Sequence, residues 1–413
     1  MTSTAPPSAV PEADPAAPAA PAAPAGGFRL RKPDLSRLDE ITAALADTAG
    51  EYDRTGEFPH AAIELLHEAG LLTATVGEEW GGPGVSFSDL ARILLALGRG
   101  DTSVALIATM TLVPHVLAPG RPWPEALYRR ILAESAERPT LINHARAEPD
   151  TGPGGGTVAR RTAKGWAITG RKRFVTGAEG LAYFLLWAVT DEPQPRLAVF
   201  VVPGDAPGVE ILPTWRQLGM RATVSNEVVF TDVEVGPDDL IEFDGFDAPR
   251  PAGGGPAPDQ EHANAILLIS ASLYLGAARA AQDHVHHVGY TKVPHQLGRP
   301  VGVTERFRRT AGEIEVLLST SEQLILAIAG KLDRGEVVSG VEALAAKVAV
   351  IRDLTRAVEL AVRLLGSAAL SQTGPLERIF RDVQAAGVHA PQEDAALLGI
   401  GTSALNDYGQ RFA

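Results

Sequence analysis

The feature that most restricts the fold of this chain is a change of pattern along it, from helix-like to strand-like and back. Between residues 139 and 247 the segments GWAITG, LAYFLLWAV, RLAVFVVP, GVEILPTW and SNEVVFTDVEV are short, rich in Val, Ile, Phe and Trp, and separated by Gly, Pro and Asp. No ten-residue helix intervenes between most of them. That argues for an antiparallel barrel or sandwich and against a parallel nucleotide-binding sheet. Residues 28–138 read as a helical domain. There HAAIELLHEAGLL puts Ile63, Leu66 and Ala69 at helical spacing, and Gly70 can end that helix. The loop EEWGGPGVS breaks any helix, and Asp101 is placed to cap the next one, TSVALIATMTLV. Residues 261–413 are helical again, in segments 262–290, 303–333, 340–370 and 375–386, which suggests a four-helix up-and-down bundle. Residues 1–27 are an Ala/Pro-rich tail expected to be disordered, and 248–260 a Pro/Gly-rich linker. The expected class is therefore α+β, in three parts.

Composition excludes several functions. The net charge of −13 leaves no basic face for nucleic acid, although a local basic patch for a phosphate-bearing cofactor remains open. The chain has no cysteine, so disulfides, thiolate metal sites and a thiol nucleophile are all excluded; this fits a reducing cytoplasm. The first 27 residues contain Glu12 and Asp14 and no continuous apolar core, unlike a secretory peptide. The longest apolar run, 263–281, contains Asn264, two serines and Arg279. It reads as a buried bundle helix and not as a membrane span. His284 and His287 stand i,i+3 near His286 and His295, but no carboxylate is arranged with them, so no metal site is expected. Gly154, Gly155 and Gly156 lack a strand-to-helix context and read as a plain loop.

Five blocks carry a more specific signal. They are FPHAAIELLHEAGLLTATVGEEWGGPGVS, HARAEPDTG (144–152), GRKRFVTGA (170–178), QLGMRATVSNEVVFTDVEV (217–235) and PLERIFRDVQAAGVHAPQED (375–394). In this order the chain, over residues 29–410, resembles the acyl-CoA dehydrogenase superfamily of flavoproteins. A flavin ring needs an apolar wall on one face and hydrogen-bond partners at its polar edge. The resemblance implies Phe174 as that wall, Thr176 at the N5 edge, and Glu148 with Pro149 shaping a loop over the pyrimidine side. Ala147 stands where the family usually has threonine. Gly366 and Ser367 occupy the family's diphosphate segment, where small residues let a helix end approach a phosphate or ribityl chain. The implied cofactor is FAD, or alternatively reduced FMN, in a homotetramer or dimer formed through the C-terminal bundle.

The catalytic position departs from the family. Nine residues beyond Arg381, where a glutamate base is usual, stands Ala390. The alternative family position for that base aligns with Ile266; Glu261 and Glu393 lie near the two sites but in neither. His389, eight residues after Arg381, matches a histidine of the superfamily's flavin monooxygenase branch. A histidine titrating near neutrality can take or give a proton. That branch's second histidine falls at Thr111, with His115 one turn further. The resemblance implies α,β-desaturation of an acyl thioester with FAD as hydride acceptor and His389 as catalytic residue. The alternative is a reduced-flavin monooxygenase, and a third reading is a non-catalytic scaffold. The implied partners are an acyl thioester or other small molecule and an electron-transfer protein or flavin reductase, with neither nucleic acid nor membrane.

Overall fold

The computed structural model describes residues 28–118, 123–149, 156–241 and 258–412. The expected tail at 1–27, most of the expected linker at 248–260, and Gly154 and Gly155 lie outside them. The first part holds α1 (Leu38–Thr55), α2 (His60–Glu68), α3 (Phe87–Gly100), α4 (Thr102–Leu117) and α5 (Glu125–Glu137). Helix α1 buries Ile41, Leu45 and Ala49, one stripe at four-residue spacing, and ends at Gly56 with φ 68°. Gly70, also at positive φ, follows α2 as the sequence suggests. Asp101 caps α4, accepting from the N–H groups of Ser103 and Val104 at 2.8 and 3.3 Å.

The middle part is one eight-stranded sheet of β1 (Leu141–Ala145), β2 (Val158–Thr162), β3 (Gly165–Val175), β4 (Leu181–Thr190), β5 (Leu197–Pro203), β6 (Val209–Leu212), β7 (Asn226–Val235) and β8 (Leu240–Ile241). The order is β6-β7-β3-β2-β4-β5-β8, with β1 also on β4. Most neighbours are antiparallel, as expected, but β1 and β2 each run parallel to β4. Strand β4 reads as a continuous apolar run because both its faces are covered. Tyr183, Leu185 and Trp187 pack with Leu127, Tyr128 and Ile131 of α5. Phe184 and Leu186 join the main core with Phe200 and Phe230.

The last part contains α6 (Pro258–Ser270), α7 (Ser272–Thr291), α8 (Glu305–Asp333), α9 (Gly340–Leu365), α10 (Leu376–Val383) and α11 (Glu393–Phe412). The first expected helix is thus two, interrupted at Ala271, and α11 is an addition to the expected four. Residues 263–291 are long and apolar enough to cross a membrane, yet 72% of their most apolar window is buried inside the fold. The reason is a seam of small residues. A Cβ on Gly98 of α3 would lie 1.9 Å from the Leu273 carbonyl oxygen of α7, and one on Gly276 of α7 would lie 2.1 Å from that of Leu95. The two helices therefore meet backbone to backbone.

The Arg-Asp pair of the last block joins all three parts. Arg381 donates to both carboxylate oxygens of Asp53 on α1, at 2.9 and 2.6 Å, and to the Leu218 carbonyl at 3.0 Å. Asp382 is buried and accepts from the Met220 N–H at 2.6 Å, with Arg378 3.9 Å away. Between them a Cβ on Gly219 would lie 2.5 Å from the Arg381 backbone. Burial pushes the Asp382 carboxyl up to about 7, against the pull of Arg378 and the Met220 hydrogen bond.

Candidate functional site

Strand β3 ends in a bulge. Its register against β7 shifts between Lys172 and Val175, and Phe174 there has φ 59°. A left-handed backbone at a bulky residue costs about 1–3 kcal/mol and persists only where its surroundings enforce it. The bulge turns the Phe174 ring out of the sheet, leaving the residue 50% exposed. Its edge meets Trp215 at 6.3 Å between centroids, and the Arg173 guanidinium lies 4.3 Å from the Phe174 centroid. Trp215 is held at both ends: its backbone N–H donates to Asn226 Oδ1 and its indole N–H to the Met220 carbonyl, each at 2.9 Å. Nε of Arg173 is buried without a hydrogen-bond partner. An orphaned donor beside an outward-facing ring fits a planar ligand with acceptors on its edge, as a flavin is.

Two residues along, Thr176 is buried. Asn143 Nδ2 donates to its carbonyl at 2.9 Å, and Ser225 Oγ to its hydroxyl at 3.1 Å. The Ser225 and Thr223 hydroxyls are 2.8 Å apart, and Thr223 lies 2.8 Å from the Met220 carbonyl. Thr176 is thus wired to the loop that Asp382 pins.

Glu148 faces the strand. Its Oε1 accepts from Lys172 Nζ at 2.6 Å and from the Thr157 N–H at 2.9 Å. Burial lowers the Lys172 pKa, with Glu148 pulling the other way. Burial would raise the Glu148 carboxyl, but its hydrogen bonds from Lys172 and Thr157 outweigh that and hold it below the usual range. Glu148 therefore anchors the loop carrying Pro149, which is half-buried. Gly366 and Ser367 follow α9, both exposed, Gly366 at φ 66°. Among the described residues no hydrogen bond joins them to Phe174 or Thr176.

His389 sits in a different environment from the one its type suggests. Its Nδ1 is 3.1 Å from the Tyr274 hydroxyl of α7, and the rings meet edge to face. Burial, with the nearby Lys347 cation, pushes its pKa down to about 4. The expectation of a group titrating near neutrality is thus corrected: at pH 7 the ring is neutral. Tyr274 is buried, and burial raises its pKa well above the ordinary value, so it stays a phenol. A buried phenol needs an acceptor, and His389 Nδ1 is the partner it has. Tyr274 then donates to Nδ1 and the ring proton resides on Nε2. Lys347, itself buried, donates to the carbonyls of His389 and Pro391 at 3.1 and 2.9 Å, and burial lowers it to about 8. Neither alternative base position is filled. Ile266 is buried and apolar, and Glu393 is bonded to Arg352 at 2.6 Å. The side chain of Glu261 lies outside the described residues. His115, near the branch's other histidine position, is buried against Tyr128 at 2.9 Å, and burial lowers it to about 4.

Four residues of this region escape a reading from sequence: Tyr274, Lys347, Lys172 and Trp215. One signal existed for Tyr274, a phenol in the middle of an apolar helix, which needs a polar partner.

Comparison with known proteins matches three family descriptions. These are "Acyl-CoA dehydrogenase, N-terminal domain" over residues 39–122, the "middle domain" over 145–233 and the "C-terminal domain" over 268–393. A Bacillus subtilis protein named putative acyl-CoA dehydrogenase YdbM is 32% identical over 374 residues, covering 88% of this chain and 94% of that one. The crystal structure of a nitrososynthase from Micromonospora carbonacea var. africana is 26% identical, with a TM-score of 0.76 over 91% of this chain and 98% of that one. The structure of KijD3 with FMN and an amino-keto sugar nucleotide is 27% identical, with a TM-score of 0.73 over 92% and 97%.

Proposed function

The chain belongs to the acyl-CoA dehydrogenase superfamily, and from that premise we propose that it is a flavin-dependent monooxygenase, using flavin reduced by a partner reductase. The observation that carries this reading is the Tyr274–His389 hydrogen bond beside Ala390. Desaturating a thioester needs a base to take the α-proton. Here the usual base position is an alanine, and the neighbouring imidazole has its one basic nitrogen engaged by Tyr274. What His389 keeps free is its other ring N–H, a donor suited to hydrogen-bonding oxygen as negative charge develops there. The similarity to a nitrososynthase and to the FMN-binding KijD3 agrees with oxygen chemistry.

Phe174 and Trp215 would supply the apolar wall for the flavin, and Arg173 Nε and Thr176 its polar edge. The bound flavin would supply electrons and activate oxygen. Tyr274 fixes the tautomer of His389, and Lys347 holds the backbone that carries it. Glu148 and Lys172 set the loop over the site, with Pro149 at its rim. Gly366 and Ser367 would approach the ribityl chain of a flavin held by a neighbouring copy. Exposed Leu398, Leu405 and Tyr408 on α11 support such an assembly, as a dimer or tetramer through the bundle.

Desaturation of an acyl thioester, with FAD, is retained as a second reading because of the similarity to the Bacillus protein. One pair of experiments separates the two. The chain is supplied with reduced FMN and isotopically labelled oxygen, together with amine, thioether and aromatic substrates. Label in the product supports the monooxygenase. Anaerobic bleaching of bound oxidised flavin by an acyl-CoA, without label incorporation in the first experiment, replaces it with the desaturase.

A further inference from the structure

At the junction of the first and middle parts lies a cleft of about 360 Å³, lined by Arg54, Gly56, Trp215, Arg216, Gln217 and Arg221, with Asp53 and Thr55 completing it. It falls between the last turn of α1 and the turn after β6. Three arginines line it in a chain whose net charge is −13. None of the three has an ion-pair partner among the described residues. The one carboxylate in the lining, Asp53, is occupied on both oxygens by Arg381. The carbonyl end of α1 disfavours anions, but its Tyr52 carbonyl is capped by the Gly56 N–H at 2.8 Å. Like-charged side chains gathered without counter-charge repel one another, and a multiply charged anion relieves that repulsion through charge-assisted bonds.

The cleft shares a wall with the candidate flavin site. Trp215 lines it and also meets Phe174 edge to face. The lining thus combines three arginines with the indole that meets the ring proposed as the flavin wall.

We propose that the Arg54–Arg216–Arg221 cleft binds the phosphate end of the ligand whose planar end lies at Phe174 and Trp215. Placing the planar end there rests on the flavoprotein reading; the anion site does not. The phosphate has two sources, the flavin itself or a nucleotide carried by the substrate. Arginine is the fitting cation for either, since its planar fork pairs with phosphate oxygens two at a time.

The test is calorimetric titration of the full chain at low salt with FMN, riboflavin, ADP and inorganic pyrophosphate. It compares wild type with Arg54→Gln/Arg216→Gln and with the triple variant that adds Arg221→Gln. Arg54 and Arg216 are exposed, so the double variant is expected to fold, as circular dichroism would verify. If the flavin supplies the phosphate, FMN binds wild type about tenfold or more tighter than riboflavin, and the substitutions erase that difference. If the substrate supplies it, ADP and pyrophosphate lose about tenfold in affinity in the variants while the FMN-to-riboflavin ratio stays put. Either result supports the cleft, and Arg→Lys versions should restore part of the loss. Folded variants that bind all four ligands as wild type does overturn it, as does a wild type that binds neither ADP nor pyrophosphate and does not distinguish FMN from riboflavin. Wild type binding pyrophosphate but neither flavin would leave the anion site standing and remove the flavoprotein reading.

Discussion

In the proposed mechanism the chemistry turns on His389, and its neighbours set its proton. The Lys347 cation contributes to lowering its pKa to about 4, so Lys347→Met should raise that midpoint. Histidine proton chemical shifts across pH 3–8 would measure it, and an unchanged midpoint would discard the electrostatic link. Because the folded pKa lies below 6.5, the unfolded chain takes up this proton first. The stability of the neutral ring is present above pH 6.5 and is lost as pH falls from there toward 4. His389→Ala should lower product oxygenation by about 10²–10³-fold, the usual worth of a positioned hydrogen-bond donor to developing negative charge. Full oxygenation in that variant would take His389 out of the mechanism. At Glu148 the asymmetry of burial gives another test. Glu148→Ala leaves an unpaired buried ammonium, at a cost of roughly 3 kcal/mol. Lys172→Met leaves a carboxylate that is partly exposed, at 28% of its side chain, and should cost less. Denaturant unfolding of both variants checks the order.

Among the elements, those with a strong periodic pattern were legible in the sequence and those defined by tertiary pairing were not. The α2 stripe of Ile63 and Leu66 and the long apolar strands declare themselves, as does the Asp101 cap. Strands β1 and β2 are five residues each, LINHA and VARRT, too short and too mixed to show a period. Their parallel pairing with β4 is a property of the assembled sheet. Helix α11 was missed because its Leu398 and Leu405 remain exposed within one chain, so it has no buried stripe to read. The site divides in the same way. Phe174, Thr176 and His389 are expected from resemblance alone, whereas Tyr274 lies 115 residues from His389 and only folding brings them together. The glycine seam yields a sharp element-scale test. Gly276→Ala would drive a Cβ to 2.1 Å from the Leu95 carbonyl oxygen and should cost about 1–3 kcal/mol. Thermal unfolding with no loss would show that α3 and α7 part without penalty.

For the whole molecule, the Arg381–Asp382 junction ties α1, the turn before β7 and α10 together. Asp382 carries the opposite pH signature to His389. With its carboxyl raised from 3.8 to about 7, the stability it contributes is present below pH 3.8 and lost as pH rises through 7. Asp382→Asn should therefore flatten the decline of stability between about pH 4 and 7, as read from urea midpoints at each pH. An unaltered slope would place the burden elsewhere.

The seam between α3 and α7 also has a mechanical consequence. Two helices whose backbones touch cannot slide without first separating, and separation exposes everything packed around Leu97 and Leu273. The two helical regions are in this sense a single anvil.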